Sequence, residues 1–258
     1  MPKLRLPVIL AFTVAAATCP LLPTAHAAPA PTSAQTAPAQ QRADNTLTAV
    51  EKAAGWRLLF DGQSLAGWRA YGKPGEKAEI GPGWKVENGV LKKLAAVKGG
   101  NIITEQTFGD YELSWEWRLE KGANNGVKYF VTEQRPQEPG HEYQMIDETA
   151  EKWAKLPANA TTASFSEVLA PATDKPLRPV GEWNRSRIVV RGNVVEHWLN
   201  DRKVLDYELG SEAVKAGIAG SKFKKYPDFG QKIRGHLMLT DHQDEAWFRH
   251  IKLREFQP

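Results

Sequence analysis

The sequence contains almost no cysteine, and this excludes several classes of protein. Its one cysteine, Cys19, lies near the N-terminus. The rest of the chain therefore has no disulfide framework, no thiolate chemistry and no cysteine-based zinc site. The histidines form no His-x-His or His-x-x-x-His pair, and no EF-hand-type calcium loop is present. We expect no cofactor and no metal ligands, while a divalent metal held by residues from distant strands stays open.

The sequence also lacks a block of like charge. The formal net charge is +4 over 258 residues, and the lysines and arginines are spread along the chain. Segments that bind nucleic acid concentrate their basic residues, so we expect no nucleic-acid partner. By contrast, the chain has nine tryptophans. Their rigid apolar rings serve as core residues and as stacking surfaces for sugars.

Long apolar runs are confined to the N-terminus. Two basic residues precede an apolar run over residues 6–17, which is too short to span a bilayer. Ala25-His26-Ala27 then has the small-x-small pattern of a cleavage site. The sequence therefore predicts a signal peptide over residues 1–27, a periplasmic or secreted mature chain, and no membrane attachment after cleavage.

The composition divides the remaining chain into a linker and one domain. Residues 28–54 are rich in Ala, Pro, Gln and Thr, which predicts a disordered linker in which residues 46–54 favour a short helix. Residues 55–258 show strand after strand, with helical character only over residues 211–219. Residues 55–258 are therefore predicted to form one domain with one core.

The strand patterns predict two packed sheets. From Tyr111 to Leu119, apolar residues alternate with Glu, Ser and Arg. Asn88-Gly89 lies between two apolar segments and is the strongest hairpin signal in the chain. Many short strands with one-sided alternation predict an all-β sandwich of two antiparallel sheets.

An ordered set of motifs carries a family resemblance over residues 55–256. The motifs are Gly55-Trp-Arg-Leu-Leu-Phe-Asp-Gly62, Trp115-Glu-Trp117, Asn124-Asn-Gly126, Glu142-Tyr-Gln-Met-Ile-Asp147, Gly181-Glu-Trp-Asn184, Val195-Glu-His-Trp-Leu-Asn200 and Phe248-Arg-His-Ile-Lys-Leu-Arg-Glu255. In this order they resemble the 3-keto-disaccharide hydrolase domain family. The resemblance implies a concanavalin A-like jelly roll. It also implies cleavage of glycosides whose glucose ring is oxidised to the 3-ketone.

One loop departs from the family pattern. Relatives often have Gln-Asp-His-Gly where this chain has Thr240-Asp241-His242-Gln243. The aspartate and the histidine are kept, but the flanking Gln and Gly are replaced. The shape of this loop, and with it the substrate, is therefore expected to differ in detail.

The segment from Glu142 to Asp147 holds the first candidates for chemistry. In a regular strand Glu142 and Gln144 share one face, and a one-residue bulge would bring Asp147 onto it. Family-16-type glucanases use Glu-x-Asp-x-x-Glu on a similar sandwich, but here Gln144 replaces the middle acid, which disfavours a two-carboxylate mechanism. We interpret Glu142 and Gln144 as cleft residues. Asp147 is equally well a catalytic acid or the residue that ends the strand.

His242 is the second candidate, because an imidazole suits proton transfer near neutral pH. Geometry alone does not separate this role from a loop histidine bonded to backbone, and the family resemblance favours function. The neighbouring Asp241 is a candidate substrate ligand, although adjacent residues on a strand point apart and a turn role fits it better.

Further candidates for substrate binding are Asn124, Asn125, Lys128 and Trp117. The two asparagines suit a turn as well as they suit sugar hydroxyls, and Lys128 follows on the same strand. Trp117 lies on the apolar face of its strand, where a core role is more common than a sugar platform. The basic run over residues 222–227 is interpreted as a solvated loop that could act as a lid.

A 3-ketone permits cleavage without two opposed carboxylates. A base removes the acidified C2 hydrogen, the enolate expels the C1 group, and water adds back to the enone. The hypotheses are His242 or Glu142 as base, Asn125 or Gln144 as donor to the ketone oxygen, and Asp147 or another acid in the proton transfers. The expected partner is an oligosaccharide or glycoside. The alternative is a non-catalytic carbohydrate-binding module on the same fold.

Overall fold

The computed structural model describes residues 45–76, 78–135, 137 and 139–256. The predicted signal peptide and residues 28–44 of the predicted linker lie outside these described residues. The described chain is built almost wholly from strands, arranged as two antiparallel sheets around one apolar core. The predicted all-β fold is confirmed: the domain is a concanavalin A-like jelly-roll sandwich.

The strands of the described chain are short and follow one another closely. In chain order they are β1 (Arg57–Leu58), β2 (Trp68–Ala70), β3 (Trp84–Glu87), β4 (Val90–Lys93), β5 (Ile102–Thr104), β6 (Tyr111–Leu119), β7 (Asn124–Val131), β8 (His141–Ile146), β9 (Asn184–Arg191), β10 (Val194–Leu199), β11 (Arg202–Glu208), β12 (His236–Leu239) and β13 (Ala246–Glu255). The larger sheet has the order β11-β10-β9-β6-β13-β4-β3, with β1 paired to β13. The smaller sheet has the order β2-β5-β12-β7-β8.

Strand β6 shows how alternation in the sequence becomes a two-sided strand. Its apolar side chains face the core and are at most 3% exposed: Tyr111, Leu113, Trp115, Trp117 and Leu119. Glu112 and Glu116 alternate with them on the outer face, where they pair with arginines. Each large apolar side chain that is fully buried contributes about 1.5–3 kcal/mol to stability.

The predicted hairpin at Asn88-Gly89 joins β3 to β4. Both residues have positive φ, 51° and 79°. A type I′ turn requires this conformation at its two central positions, and its twist matches the twist of the flanking strands. The dipeptide therefore sets the register of β3 against β4.

Two helices lie where the sequence favours them. They are α1 (Ala49–Ala53) and α2 (Glu212–Ala219). Asn45, which precedes α1, is 4% exposed and hydrogen-bonds to Gly89 and His250. The ordered domain therefore begins before Gly55, because residues 45–54 of the predicted linker pack on it. Among the described residues, each helix is too short or too polar to cross a membrane.

Candidate active site

The outer face of the smaller sheet carries polar side chains where β7 meets β8. The two strands pair in continuous register, with Gly126 opposite Gln144 and Lys128 opposite Glu142. Along β7, Asn125, Val127 and Tyr129 are at most 1% exposed and face the core. The alternate positions face outward, so Lys128 and Glu142 lie side by side on the open face.

Glu142 is held between two basic side chains. Its side chain is 12% exposed. Its Oε2 lies 3.5 Å from Lys128 Nζ, and its Oε1 lies 4.0 Å from His242 Nε2. Oε1 is buried and has no hydrogen-bond partner among the described residues. Because buried carboxylate oxygens are normally hydrogen-bonded, this oxygen is suited to accept a hydrogen bond from a ligand.

Electrostatics keep this carboxylate ionised. Burial raises the pKa of Glu142, but the charge of Lys128, the neighbouring His242 ring and, less strongly, the charge of Lys222 outweigh burial and lower the pKa to about 2. Glu142 therefore carries a negative charge throughout the neutral pH range. It can stabilise a cation beside it, but it is a weak base.

A rigid loop presents His242 to Glu142. Asp241 accepts hydrogen bonds from the backbone N–H groups of Gly99 and Gly100, each at 2.8 Å, and pairs with the buried Lys93 at 2.8 Å. Burial raises the pKa of Asp241, but Lys93 and these backbone donors lower it more. Asp241 thus ties two loops together, whereas the side chain of His242 is 43% exposed and lies beside Glu142 on the open face of the sheet.

The departure from the family motif falls at a strained position of this loop. Gln243 has a φ of 63°, and its N–H donates to Asp241 Oδ1 at 2.8 Å. Glycine adopts this left-handed conformation without the cost that a side chain adds, so Gln243 strains the loop where the family motif has Gly. Thr240 is buried, with its Oγ1 3.2 Å from the carbonyl oxygen of Gly126.

Two amide side chains flank the carboxylate on the same face. Gln144 Nε2 donates to Asn124 Oδ1 at 3.0 Å, and the Asn124 N–H donates to Asp244 Oδ2 at 2.8 Å. Asn125 is fully buried on the core side, where its Oδ1 accepts from the Gly126 N–H. Asn125 therefore does not lie on the open face with Glu142, as the sequence had allowed.

Two other predicted residues lie away from this face. Asp147 does not join Glu142, because β7 and β8 pair without the bulge that would bring it there. Its carboxylate accepts from the Gly122 N–H and from the N–H and hydroxyl of Thr149, which closes a turn. Trp117 is 2% exposed, and its Nε1 donates to Ser186 Oγ at 2.8 Å inside the core.

Lys222 is a cation that acts on Glu142 and that was not predicted from the sequence. Lys222 belongs to the basic run interpreted as a solvated loop, yet its charge reaches Glu142. Its Nζ also lies 2.7 Å from Glu167 Oε1. The neighbouring Phe223 is buried and stacks on Phe229 with ring centroids 4.0 Å apart, which fixes this segment. Only the fold brings Lys222 towards Glu142, because the two are far apart in the sequence.

Metal ligands do not gather in the described part of the chain. No three His, Cys, Asp or Glu side chains there come close enough together to hold a metal ion. Asp61, an acid in the opening turn, instead accepts hydrogen bonds from the N–H groups of Gln63 and Ser64. The absence of a cofactor stays a prediction.

The comparison with known families settles the family of the chain. Residues 55–254 match the family described as the 3-keto-alpha-glucoside-1,2-lyase-like domain. The chain belongs to this family. The match covers nearly the whole ordered domain, including both strands of the cleft and the His242 loop, and confirms the resemblance seen in the motifs.

Individual members of this family support the assignment. The chain is 31% identical to a 3-keto-disaccharide hydrolase of Bacteroides thetaiotaomicron, over 78% of each chain. It is also 31% identical to a protein of Parabacteroides distasonis whose crystal structure is known and which is provisionally assigned as a glycosyl hydrolase. That alignment covers 83% of this chain and 100% of the other, with a TM-score of 0.74. A second Parabacteroides distasonis structure shares the fold, at 22% identity and a TM-score of 0.60. The protein is therefore a hydrolase-like enzyme that acts on carbohydrate.

Proposed function

We propose that this enzyme cleaves glycosides of 3-keto-glucose by abstraction of the C2 proton, elimination and rehydration. The observation that carries the proposal is the Glu142 carboxylate, which is ionised and nearly buried beside His242 and Lys128, with no hydrogen-bond partner for Oε1 among the described residues. Membership of a lyase-like family supports an elimination, and the relative named as a hydrolase supports the addition of water.

The chemistry proceeds in three balanced steps. The base takes the C2 proton, and the electron pair of that bond moves to the C3 oxygen as an enolate. The enolate then re-forms the ketone and a C1–C2 double bond while the C1–O bond breaks, and the leaving oxygen takes a proton. Water adds at C1 of the enone, and a proton returns to C2. The sum is hydrolysis, with no oxidant or reductant consumed.

We divide these tasks among the residues around Glu142. We assign proton transfer to His242, because it is exposed and an imidazole can exchange protons near neutral pH. Glu142 stabilises the imidazolium that forms. The ammonium group of Lys128 stabilises the enolate oxygen, since a fixed cation in a nearly buried site acts strongly on developing charge. Gln144 and Asn124 bind sugar hydroxyls.

The direct test uses paired glycosides of one chromogenic phenol. The enzyme is incubated with 4-nitrophenyl 3-keto-α-glucoside and with the unoxidised 4-nitrophenyl α-glucoside, and nitrophenol release is followed. We expect rapid release from the ketone only, because only the ketone acidifies C2–H. Equal rates on both compounds would refute the elimination route. Binding of either compound without release would favour the alternative, a carbohydrate-binding module.

We also propose that the chain is exported. The support is the basic start, the apolar run over residues 6–17 and the small-x-small pattern at Ala25-His26-Ala27. Mass spectrometry of the protein purified from its native cells should give an N-terminus near Ala28. A mature protein that still begins at Met1 would contradict export by this signal.

A further inference from the structure

Gly126 lies directly beneath the carboxylate of Glu142. It occupies an outward-facing position of β7, between Asn124 and Lys128, and yet it is buried. What covers it is Glu142: a Cβ built on Gly126 would overlap Oε1 and lie 2.9 Å from both Cδ and Cγ of Glu142. Any side chain at position 126 would therefore occupy the space of the carboxylate.

The backbone itself does not demand a glycine here. The φ of Gly126 lies outside the left-handed range in which a glycine would be required. Glycine within a strand is unfavourable by itself, and where it occurs it often marks a site of close approach. The close approach in this case is made by the end of a flexible side chain, which can move aside at little energetic cost.

We propose that Gly126 is a positioning residue: its missing side chain sets where the Glu142 carboxylate lies between Lys128 and His242. The proposal rests on the function proposed above. With Gly126 in place, the carboxylate lies flat over β7, and Oε1 stays buried and available to substrate. A methyl group at this position lifts the carboxylate off the strand and away from its two cationic neighbours, while the sheet stays intact.

The test is a double-mutant cycle with 4-nitrophenyl 3-keto-α-glucoside as substrate. We expect Gly126→Ala to lower kcat roughly a hundredfold, since a misplaced catalytic group costs about as much as a lost one. In a Glu142→Ala background, where no carboxylate can be displaced, Gly126→Ala should have almost no further effect on kcat. Such non-additivity is expected when one residue acts through the other.

The control variant is Gly109→Ala. A Cβ at Gly109 meets only a guanidinium nitrogen of Arg234 at 3.5 Å, an ordinary contact, so activity should stay at the wild-type level. Thermal melts of the Gly126 and Gly109 variants should match the wild type, because replacing Gly by Ala at a compatible φ is neutral or slightly stabilising.

Three outcomes separate the two proposals. If Glu142→Ala is active, the proposed function of this face fails. If Glu142→Ala is inactive but Gly126→Ala keeps full kcat, the positioning role alone is wrong. If the two substitutions multiply in the cycle, or Gly126→Ala melts well below the wild type, Gly126 acts through the fold and the inference is overturned.

Discussion

Each outer face of the sandwich holds a carboxylate between two basic side chains: Glu112 on the larger sheet and Glu142 on the smaller. Only the carboxylate of Glu112 is fully hydrogen-bonded. On the larger sheet, Glu112 accepts hydrogen bonds from Arg187 at 2.6 Å and from two nitrogens of Arg254 at 2.6 and 2.9 Å. On the smaller sheet, Glu142 has Lys128 at 3.5 Å and His242 at 4.0 Å, and one of its oxygens has no hydrogen-bond partner among the described residues. The first arrangement is a completed structural network, and the second leaves room for a ligand.

A shifted pKa does not separate the two faces. Burial raises the pKa of Glu116 on the larger sheet, but His250 and Arg249 outweigh burial and lower it to about 2, the same value as for Glu142. Yet Arg249 Nε donates to Glu116 at 2.8 Å, so that carboxylate is occupied. Perturbed pKa values mark structural ion pairs as well as active sites. What separates the two carboxylates is that Glu142 Oε1 is buried without a hydrogen-bond partner among the described residues, which favours Glu142 as the candidate catalytic group.

The largest expected difference between the faces is in turnover. Glu142→Gln removes the charge beside His242 and should lower kcat roughly a hundredfold, the scale of lost acid–base assistance. Glu116→Gln removes a charge of the same lowered pKa on the other face and should leave kcat close to the wild type. Steady-state kinetics with the 3-keto-glucoside compares them. Similar losses in both variants would mean that the comparison between the faces is wrong.

The next effect is on stability and reverses the order of the faces. Glu112→Gln leaves two arginines without their anion in a site where Glu112 is 5% exposed, and should lower the free energy of unfolding by about 2 kcal/mol. Glu142→Gln should lower the free energy of unfolding by less, because Lys128 and His242 lie at 3.5 and 4.0 Å and not at hydrogen-bond distance. Urea unfolding at constant m-value measures both. A stable Glu112→Gln variant would show that the network is not structural.

Mildly acidic pH should destabilise the fold through two buried histidines of the core, and not through the two carboxylates. Burial lowers the pKa of His141 to about 3 and that of His197 to about 4, from 6.5. Below about pH 6.5 the two histidines therefore bind protons in the unfolded chain but stay neutral in the folded chain. The stabilising contribution of each histidine is complete above pH 6.5 and falls by roughly 1.4 kcal/mol per pH unit below it, until its folded pKa is reached. Glu142 and Glu116 stay ionised over this range.

His141→Phe isolates one of these contributions. The ring of His141 stacks on Phe165 at 4.4 Å, so phenylalanine fits a similar environment and removes the titrating group. The free energy of unfolding of this variant should depend less steeply on pH between about 6.5 and 4.5 than that of the wild type. Identical slopes for the two proteins would show that His141 does not contribute to acid sensitivity.

The smallest effect concerns Lys222, whose charge lowers the pKa of Glu142 less than that of Lys128 does. Lys222→Met removes a half-exposed cation, and screened surface charges contribute little, so kcat/KM should fall less than about tenfold and the melting temperature should not change. Lys203→Met, a similarly exposed cation of the larger sheet, should leave both quantities unchanged. A loss as large as that of Glu142→Gln would make Lys222 a principal part of the site.

The sequence predicted the fold well, because local patterns determine its main elements. The alternation from Tyr111 to Leu119 and the Asn88-Gly89 turn each fix a strand and its neighbour through nearby residues. The structure assigned Asn124 and Asn125 to opposite faces, which the sequence could not do. Two adjacent asparagines do not differ in hydrophobicity, so the sequence does not indicate which of them faces the core.

The site was only partly predictable, because its groups come from distant parts of the chain. Lys128 and His242, two of the candidates from the sequence, lie beside Glu142. The bulge that would have brought Asp147 to Glu142 does not form, since β8 ends in a turn that Asp147 itself closes. The contribution of Lys222 depends on a short 3-10 helix, Lys222–Lys225, whose place in the fold no local pattern specifies.

The central claim is that the C2–H bond of a 3-keto-glucoside breaks at the Glu142–His242 pair. The most direct measurement uses 4-nitrophenyl 3-keto-α-glucoside with deuterium at C2 and follows the label by mass spectrometry, with an enzyme-free sample to correct for spontaneous exchange. We predict that wild-type product has lost its deuterium, whether it is the enone or the hydrated sugar, and that Glu142→Gln forms such product far more slowly. Wild-type product that retains its C2 deuterium would contradict the account.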